Sequence, residues 1–245
     1  MLNRLRPGSA VLALITAAAC TPLPEMEQPV AIEAGYRLLF NDALVGNALF
    51  VLQLQPGGIY HLEAFTTPAG QMQRAAGHEV LETSRGVIDR EGIRPQRFEH
   101  SVMDGERVEM VKLDFDWDGH ALRLTDRDRT HTAGLQPQTH DRLSYLLAAR
   151  RLAAAGEGRT RILIASADAV DDTRLEVIGR QSIMIPLGHY EAIAVSRVTA
   201  DSDETRELWF DTGFSPLPLR VLHGWDENTV EMQLETFSRN PGHPR

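Results

Sequence analysis

A two-residue rhythm runs through this chain from residue 32 onward and limits its fold more than any other feature. Over 111–117, Val111, Leu113, Phe115 and Trp117 alternate with Lys112, Asp114 and Asp116. Successive side chains of an extended strand point to opposite faces, so the pattern describes a ribbon with one apolar face and one wet face. Tyr36, Leu38 and Phe40 alternate with Arg37, Leu39 and Asn41 in the same way. Leu49, Val51 and Leu54 stand across the turn Pro56-Gly57-Gly58 from Tyr60, Leu62 and Ala64. Short alternating runs separated by turn residues indicate antiparallel sheet.

The stretch Asp114-Phe115-Asp116-Trp117-Asp118-Gly119-His120 has a competing reading. Three alternating acids followed by glycine match the opening of a calcium loop, but such a loop closes with a bidentate Glu at its twelfth position. Thr125 stands there. Asp118-Gly119 is instead a strong hairpin signal, because both residues tolerate positive φ. Folding at that dipeptide pairs Trp117 with His120, Phe115 with Leu122 and Leu113 with Leu124 on one face. The other face pairs Asp116 with Ala121, Asp114 with Arg123 and Lys112 with Thr125. Apolar residues meet apolar ones and an acid meets a base, each pair contributing about 0.2–1 kcal/mol. The carboxylates are expected on the solvent side of a hairpin, and no metal site is assigned to them.

One segment departs from this rhythm. Leu143, Leu146, Leu147, Ala153 and Ala154 recur with a helical period, Thr139 or Asp141 can cap the start, and Gly156 with Gly158 supplies the stop. A helix near 141–155 is expected, with Arg150 and Arg151 in its last turns, where cations suit the dipole. The Asp141–Ser144 spacing fits first-turn capping. Further strands are expected at 161–166, 174–185, 190–200, 205–211, 217–224 and 229–237. In 92–98, Pro95 is expected to fix a turn, with Arg94 and Arg97 clasping nearby acids. The fold class is mostly β: a strongly curved antiparallel sheet, either an open barrel or two packed β halves, with one accessory helix.

The N-terminal segment points to export. Arg4 and Arg6 precede the apolar run 10–19 and then Cys20, the sole cysteine. A basic start, an apolar core and small residues before a cleavage point form a secretory signal. The run is well short of the roughly 20 apolar residues a spanning helix needs. Ala17-Ala18-Ala19-Cys20 resembles the lipobox of bacterial lipoproteins, in which the cysteine is acylated and becomes the first mature residue. Ala17 stands where that motif most often carries Leu, so cleavage nearby without lipidation is the alternative. Thr21 in place of Asp after the cysteine leans toward the outer membrane. The expected organisation is therefore a signal peptide at 1–19 and a lipidated, Pro-rich tether at 20–31. A single β-rich domain follows at 32–238, with a flexible tail at 239–245.

Charge excludes one class of partner. The full chain carries a net −9, and without residues 1–19, which hold two arginines and no acid, the balance is −11. An acidic chain with scattered basic residues repels nucleic acid. The sequence holds no Gly-x-Ser-x-Gly elbow, no His-Glu-x-x-His, no P-loop and no dinucleotide glycine motif. Its nine histidines are dispersed. His131, His140 and Asp141 could meet around a loop, but zinc ligands normally cluster more closely on one element. A Ser144–His140–Asp141 triad would require neighbours at one helix start to converge their side chains. No catalytic residue, metal or cofactor is assigned.

Several motifs in order resemble the uncharacterised exported-protein family known as domain of unknown function 3108 (DUF3108). They are Tyr36 and Gly46, residues 92–100, the hairpin 115–119, residues 135–150, 185–195 and 208–221, and a final strand. The resemblance spans residues 32–238. It implies a secreted or lipid-anchored envelope protein with a mostly antiparallel β fold, and supplies no activity, cofactor or catalytic residue. The sequence reading is of a non-enzymatic lipoprotein, anchored to the bacterial envelope through Cys20 and facing the periplasm. It either binds a lipid or other apolar ligand inside a curved sheet or docks on an envelope protein.

Overall fold

The computed structural model describes residues 28–70, 78–105, 107–127, 129–167, 169–199, 203–211 and 213–241. The expected leader 1–19, Cys20, the tether through residue 27 and the last four residues lie outside the described residues. Strands β1 (Val30–Phe40), β2 (Ala43–Leu54), β3 (Ile59–Pro68), β4 (Glu79–Ile88), β5 (Ile93–Asp104), β6 (Arg107–Asp116), β7 (Ala121–Asp126) and β8 (Arg129–Gly134) form a meander. A two-residue strand β9 (Thr139–His140) and helix α1 (Ser144–Ala155) interrupt it. The chain returns through β10 (Arg159–Ala165), β11 (Val170–Ile185), β12 (Gly188–Thr199), β13 (Thr205–Phe210), β14 (Arg220–Trp225) and β15 (Asn228–Pro241).

All fifteen strands belong to one sheet, ordered from β8 through β1, then β15 back to β9. The two halves of the chain are joined along β1 and β15, paired from Val30↔Pro241 to Phe40↔Val230. The answer to the sequence-level alternative is therefore one wrapped sheet. Paired backbone also starts before residue 32 and runs past 238, because Val30 and Ala31 have partners in Pro241 and Asn240.

Connectivity forces the sheet to curl. Laid flat, fifteen strands about 4.8 Å apart would span about 67 Å. The outermost strands β8 and β9 are nevertheless joined by residues 135–138 alone, a link reaching at most about 18 Å. That link stitches the two edges: Leu135 N–H donates to His120 O on one side, and Leu163 N–H donates to Gln138 O on the other. The barrel stays open, because β9 pairs only with β10, in parallel and over two residues. Helix α1 sits inside the curl, with Leu146, Leu147, Ala149 and Ala153 buried.

The hairpin register matches the expectation at each of its five ladder pairs from Asp116↔Ala121 to Lys112↔Thr125. Its turn differs. Residues 117–120 form a four-residue loop with positive φ at His120, 51°. The Asp116 carboxylate closes over Gly119 and accepts its N–H at 2.8 Å, so a Cβ there, 2.5 Å from that carboxylate, would push the Asp116 side chain aside. Trp117 turns inward and donates its indole N–H to Pro95 O at 2.6 Å.

Three further expectations are corrected. On β2 the buried residues are Gly46, Ala48, Phe50 and Leu52, while Leu49 is exposed; the apolar run 49–52 fits either phase, and pairing with Ala34 and Ile32 selects this one. Pro95 does not turn the chain. It lies within β5 opposite Gly86, at a bulge where the missing N–H is tolerated. Arg94 and Arg97 do clasp acids, Arg94 engaging Asp89 and Arg97 engaging Glu99 and Asp114. Finally, Arg150 and Arg151 anchor the helix to loops: Arg150 donates to Ser215 O, and Arg151 to Asp89 O and Arg90 O. Gly156, at φ 79°, ends α1 as expected and donates its N–H to Ala153 O.

Candidate functional site

Two polar clusters lie on the inner side of the sheet, and their hydrogen bonding distinguishes them. The first sits where β9 runs into α1. Asp141 is fully buried, and its Oδ1 accepts the N–H groups of Leu143 at 2.8 Å and Ser144 at 2.7 Å. Ser144 Oγ accepts the Asp141 N–H in return at 2.9 Å, a reciprocal cap that satisfies helix donors. The second carboxylate oxygen accepts the Ser84 hydroxyl at 2.7 Å, and Tyr60 O–H lies 3.0 Å from Ser84 Oγ. Burial pushes the Asp141 carboxyl up to about 6, against the lowering effect of the Ser144 and Leu143 N–H groups and the Ser84 and Ser144 hydroxyls. Burial, then the Asp141 charge, raise the Tyr60 phenol well above its ordinary value, so it stays a neutral donor.

His140 is equally buried, but neither ring nitrogen has a partner among the described residues. Burial lowers its pKa to about 4, so the ring is neutral at physiological pH. His131, which could have joined it, is exposed on β8. Among the described residues no three His, Cys, Asp or Glu side chains converge as a metal set would. Asp114 faces Arg97, Asp116 holds its own turn, and Asp118 is exposed.

The second cluster lines the mouth of the curl. There a cleft of about 490 Å³ opens between the first turn of α1 and the inner faces of β2, β4 and β10–β15. Its apolar wall includes Phe50, Leu143, Leu146, Ile164, Val221 and Met232. Its polar wall holds Arg142, Arg197, Arg206 and His223 with Glu82, Asp171, Tyr145 and Ser166. Strand register explains the grouping. Arg206 pairs with His223 across β13 and β14, and Arg197 on β12 lies one step beyond the Ser196↔Glu207 pair. Arg197, Arg206 and His223 thus form one row across three adjacent strands, all facing inward.

Glu204 takes both Arg206, at 2.8 Å, and His223, at 3.2 Å. Arg142 pairs with Glu82 at 3.5 Å. Arg197 is only 7% exposed, yet its ion pair with Asp171 is 3.9 Å long and its Nε has no partner among the described residues. Its guanidinium lies over the Tyr145 ring, 5.4 Å from the centroid. Burial lowers the pKa of Arg197; Tyr145 raises it, neighbouring Arg206 lowers it further and Asp171 raises it. A second cleft of about 400 Å³ lies on the outer face among His61, Glu63, Thr83, Arg85, Arg97 and Glu99, where opposite charges alternate.

The sequence reading anticipated the Asp141–Ser144 cap and missed the arginine row. A local signal existed: Arg197 is in phase with Ile193 and Val195, and Arg206 with Leu208 and Phe210, so each occupies an inward position of its strand.

The architecture is one large mixed sheet, antiparallel except at the β9–β10 pair, curled without closing into a barrel and packed around one helix. The chain belongs to the family of proteins of unknown function DUF3108, whose profile matches residues 36–235. Among solved structures it is similar to a β-barrel-like protein of the domain of unknown function DUF1849 from Brucella abortus. That match has a TM-score of 0.53 and 9% identity, covering 87% of this chain and 98% of the other; it speaks to the fold alone. No curated protein matches the chain.

Proposed function

We propose that this protein is a non-catalytic lipoprotein of the bacterial cell envelope that binds a lipid or another apolar envelope ligand in the cleft beside α1. The observation that carries the reading is the cleft itself. Its volume falls within the roughly 300–1,000 Å³ of ligand pockets, and inward strand residues combine with the helix start to give a lining that is part apolar and part charged, as an amphiphile requires. A role confined to docking through the outer surface would need no such opening. The non-catalytic part is supported by Asp141: its oxygens are engaged by the helix cap and Ser84, away from solvent. Export and anchoring rest on the leader and Cys20, with the domain facing the periplasm from the outer membrane.

Purification of the full chain from membranes, followed by mass spectrometry of co-extracted molecules, tests the binding role. One defined amphiphile retained at stoichiometric level is expected. An empty protein held by a stable protein partner would contradict the proposal and favour a docking role. Palmitate labelling tests the anchor: Cys20→Ala should abolish it, and labelling that persists would refute acylation at that residue.

A further inference from the structure

The row Arg197–Arg206–His223 has no account in folding alone. Like charges set side by side on one face of a sheet are destabilising. Arg197 has Tyr145 as its near neighbour, but its one carboxylate partner is 3.9 Å away and its Nε is left without a partner among the described residues, so its burial is costly. The other neighbour of Arg197 in the sheet is Leu175 on β11, so a leucine or valine at 197 would continue the apolar inner face. Arg197 instead extends its guanidinium into the cleft wall beside Arg206. Asp171, the acid nearest by ion pairing, is about half exposed and stands 3.9 Å away. The backbone donors of the α1 start are already used, since Asp141 takes the Leu143 and Ser144 N–H groups. Any anion in the cleft must therefore be held by side chains.

We infer that the cleft selects amphiphiles with an anionic end, a carboxylate or a phosphate monoester on an acyl chain, held by Arg197 and Arg206 while the chain lies on Leu146, Val221 and Met232. The inference rests on the cleft being a ligand site. Arg197 supplies an unpaired Nε and a planar, always-charged fork suited to both head groups. Arg206, kept in place by Glu204, provides the second cation. Val221, two residues before His223, and its partner Met232 continue the same face beside the row, so cationic and apolar parts of the lining adjoin as the head and chain of an amphiphile do.

Titration calorimetry on the full chain tests this. A Cys20→Ala background keeps acyl groups of the protein's own out of the measurement. The probes are dodecanoate, dodecyl phosphate, dodecanol, dodecyltrimethylammonium and inorganic phosphate, the amphiphiles all below their micelle concentrations. Dodecanoate and dodecyl phosphate are expected to bind about tenfold or more tighter than dodecanol, the scale of one or more charge-assisted hydrogen bonds. Arg197→Met with Arg206→Met should bring the affinities for dodecanoate and dodecyl phosphate down to that for dodecanol in the same variant; Arg197→Lys should restore part of the difference. Equal binding of the anionic, neutral and cationic chains would overturn the selectivity while leaving the cleft as an apolar site. Inorganic phosphate binding as tightly as dodecyl phosphate would show a site for a free anion and overturn the amphiphile. Absence of binding by all five probes would remove the ligand site itself.

Discussion

The two inner polar clusters are a few residues apart in the fold and opposite in character. Around Asp141 a buried carboxylate meets two helix N–H groups and a serine hydroxyl, with Tyr60 behind it. At the mouth, a buried guanidinium beside Tyr145 has one nitrogen without a partner among the described residues, one long ion pair and a second arginine for a neighbour. Folding accounts for the first: the cap fixes where α1 begins, and Ser84 ties that start to β4. It does not account for the second, which lies where the sheet opens. The carboxylate of Asp141 is satisfied as part of the architecture, whereas the guanidinium of Arg197 keeps a donor free beside the opening.

Mutation should separate the clusters by sign. Asp141→Ala removes the acceptor for two N–H groups and the Ser84 hydroxyl, and is expected to cost about 3–5 kcal/mol of stability, read as a lower denaturation midpoint. Arg197→Met should do the reverse, raising stability by about 1–3 kcal/mol as an underpaired buried charge is replaced by an apolar chain of similar length. A large loss from Arg197→Met would mean that the arginine row is structural after all, and the comparison would break.

Acid titration sharpens the contrast within the first cluster. The Asp141 carboxyl is raised from 3.8 to about 6, so its stabilising contribution is full below pH 3.8 and is lost as pH rises to about 6. The His140 imidazole is lowered from 6.5 to about 4, so its contribution is present above 6.5 and is lost as pH falls to about 4. The two slopes oppose each other between about pH 4 and 6. His140→Leu should therefore uncover stability that falls with rising pH in that window, and Asp141→Asn should uncover the opposite slope. Each slope is at most about 1.4 kcal/mol per pH unit. Parallel profiles for the two variants would contradict this assignment. The smallest effect is expected far from both clusters: Trp117→Phe loses the bond to Pro95 O and about 1 kcal/mol, with no change in ligand binding.

Local chemistry was the legible part of this fold. The register of the 111–126 hairpin follows from alternation plus Asp118-Gly119, although the loop places its positive φ one residue later, at His120. The start and stop of α1 follow from Asp141, Ser144 and Gly156. Where apolar residues occupy both parities, as in 49–52, alternation carries no phase information and only the neighbouring strand decides. Pairings distant in sequence were equally silent: β1 meets β15 across most of the chain, and that contact makes one sheet of two halves. The burial of Asp141 depends on Ser84, 57 residues earlier. Arg197 and Arg206 were readable as inward charges on apolar strands, but their adjacency across β12 and β13 required the fold.

A photoactivatable dodecanoate bearing a diazirine at its methyl end, bound to the full chain in the Cys20→Ala background, reports directly on where an acyl ligand lies. Saturable labelling of Leu146, Val221 and Met232, competed by dodecyl phosphate and weakened by Arg197→Met with Arg206→Met, is the expected result. Labelling that is not saturable, or that falls on the outward-facing Leu49, Ile178 and Met184, would contradict a ligand site at the mouth of the curl.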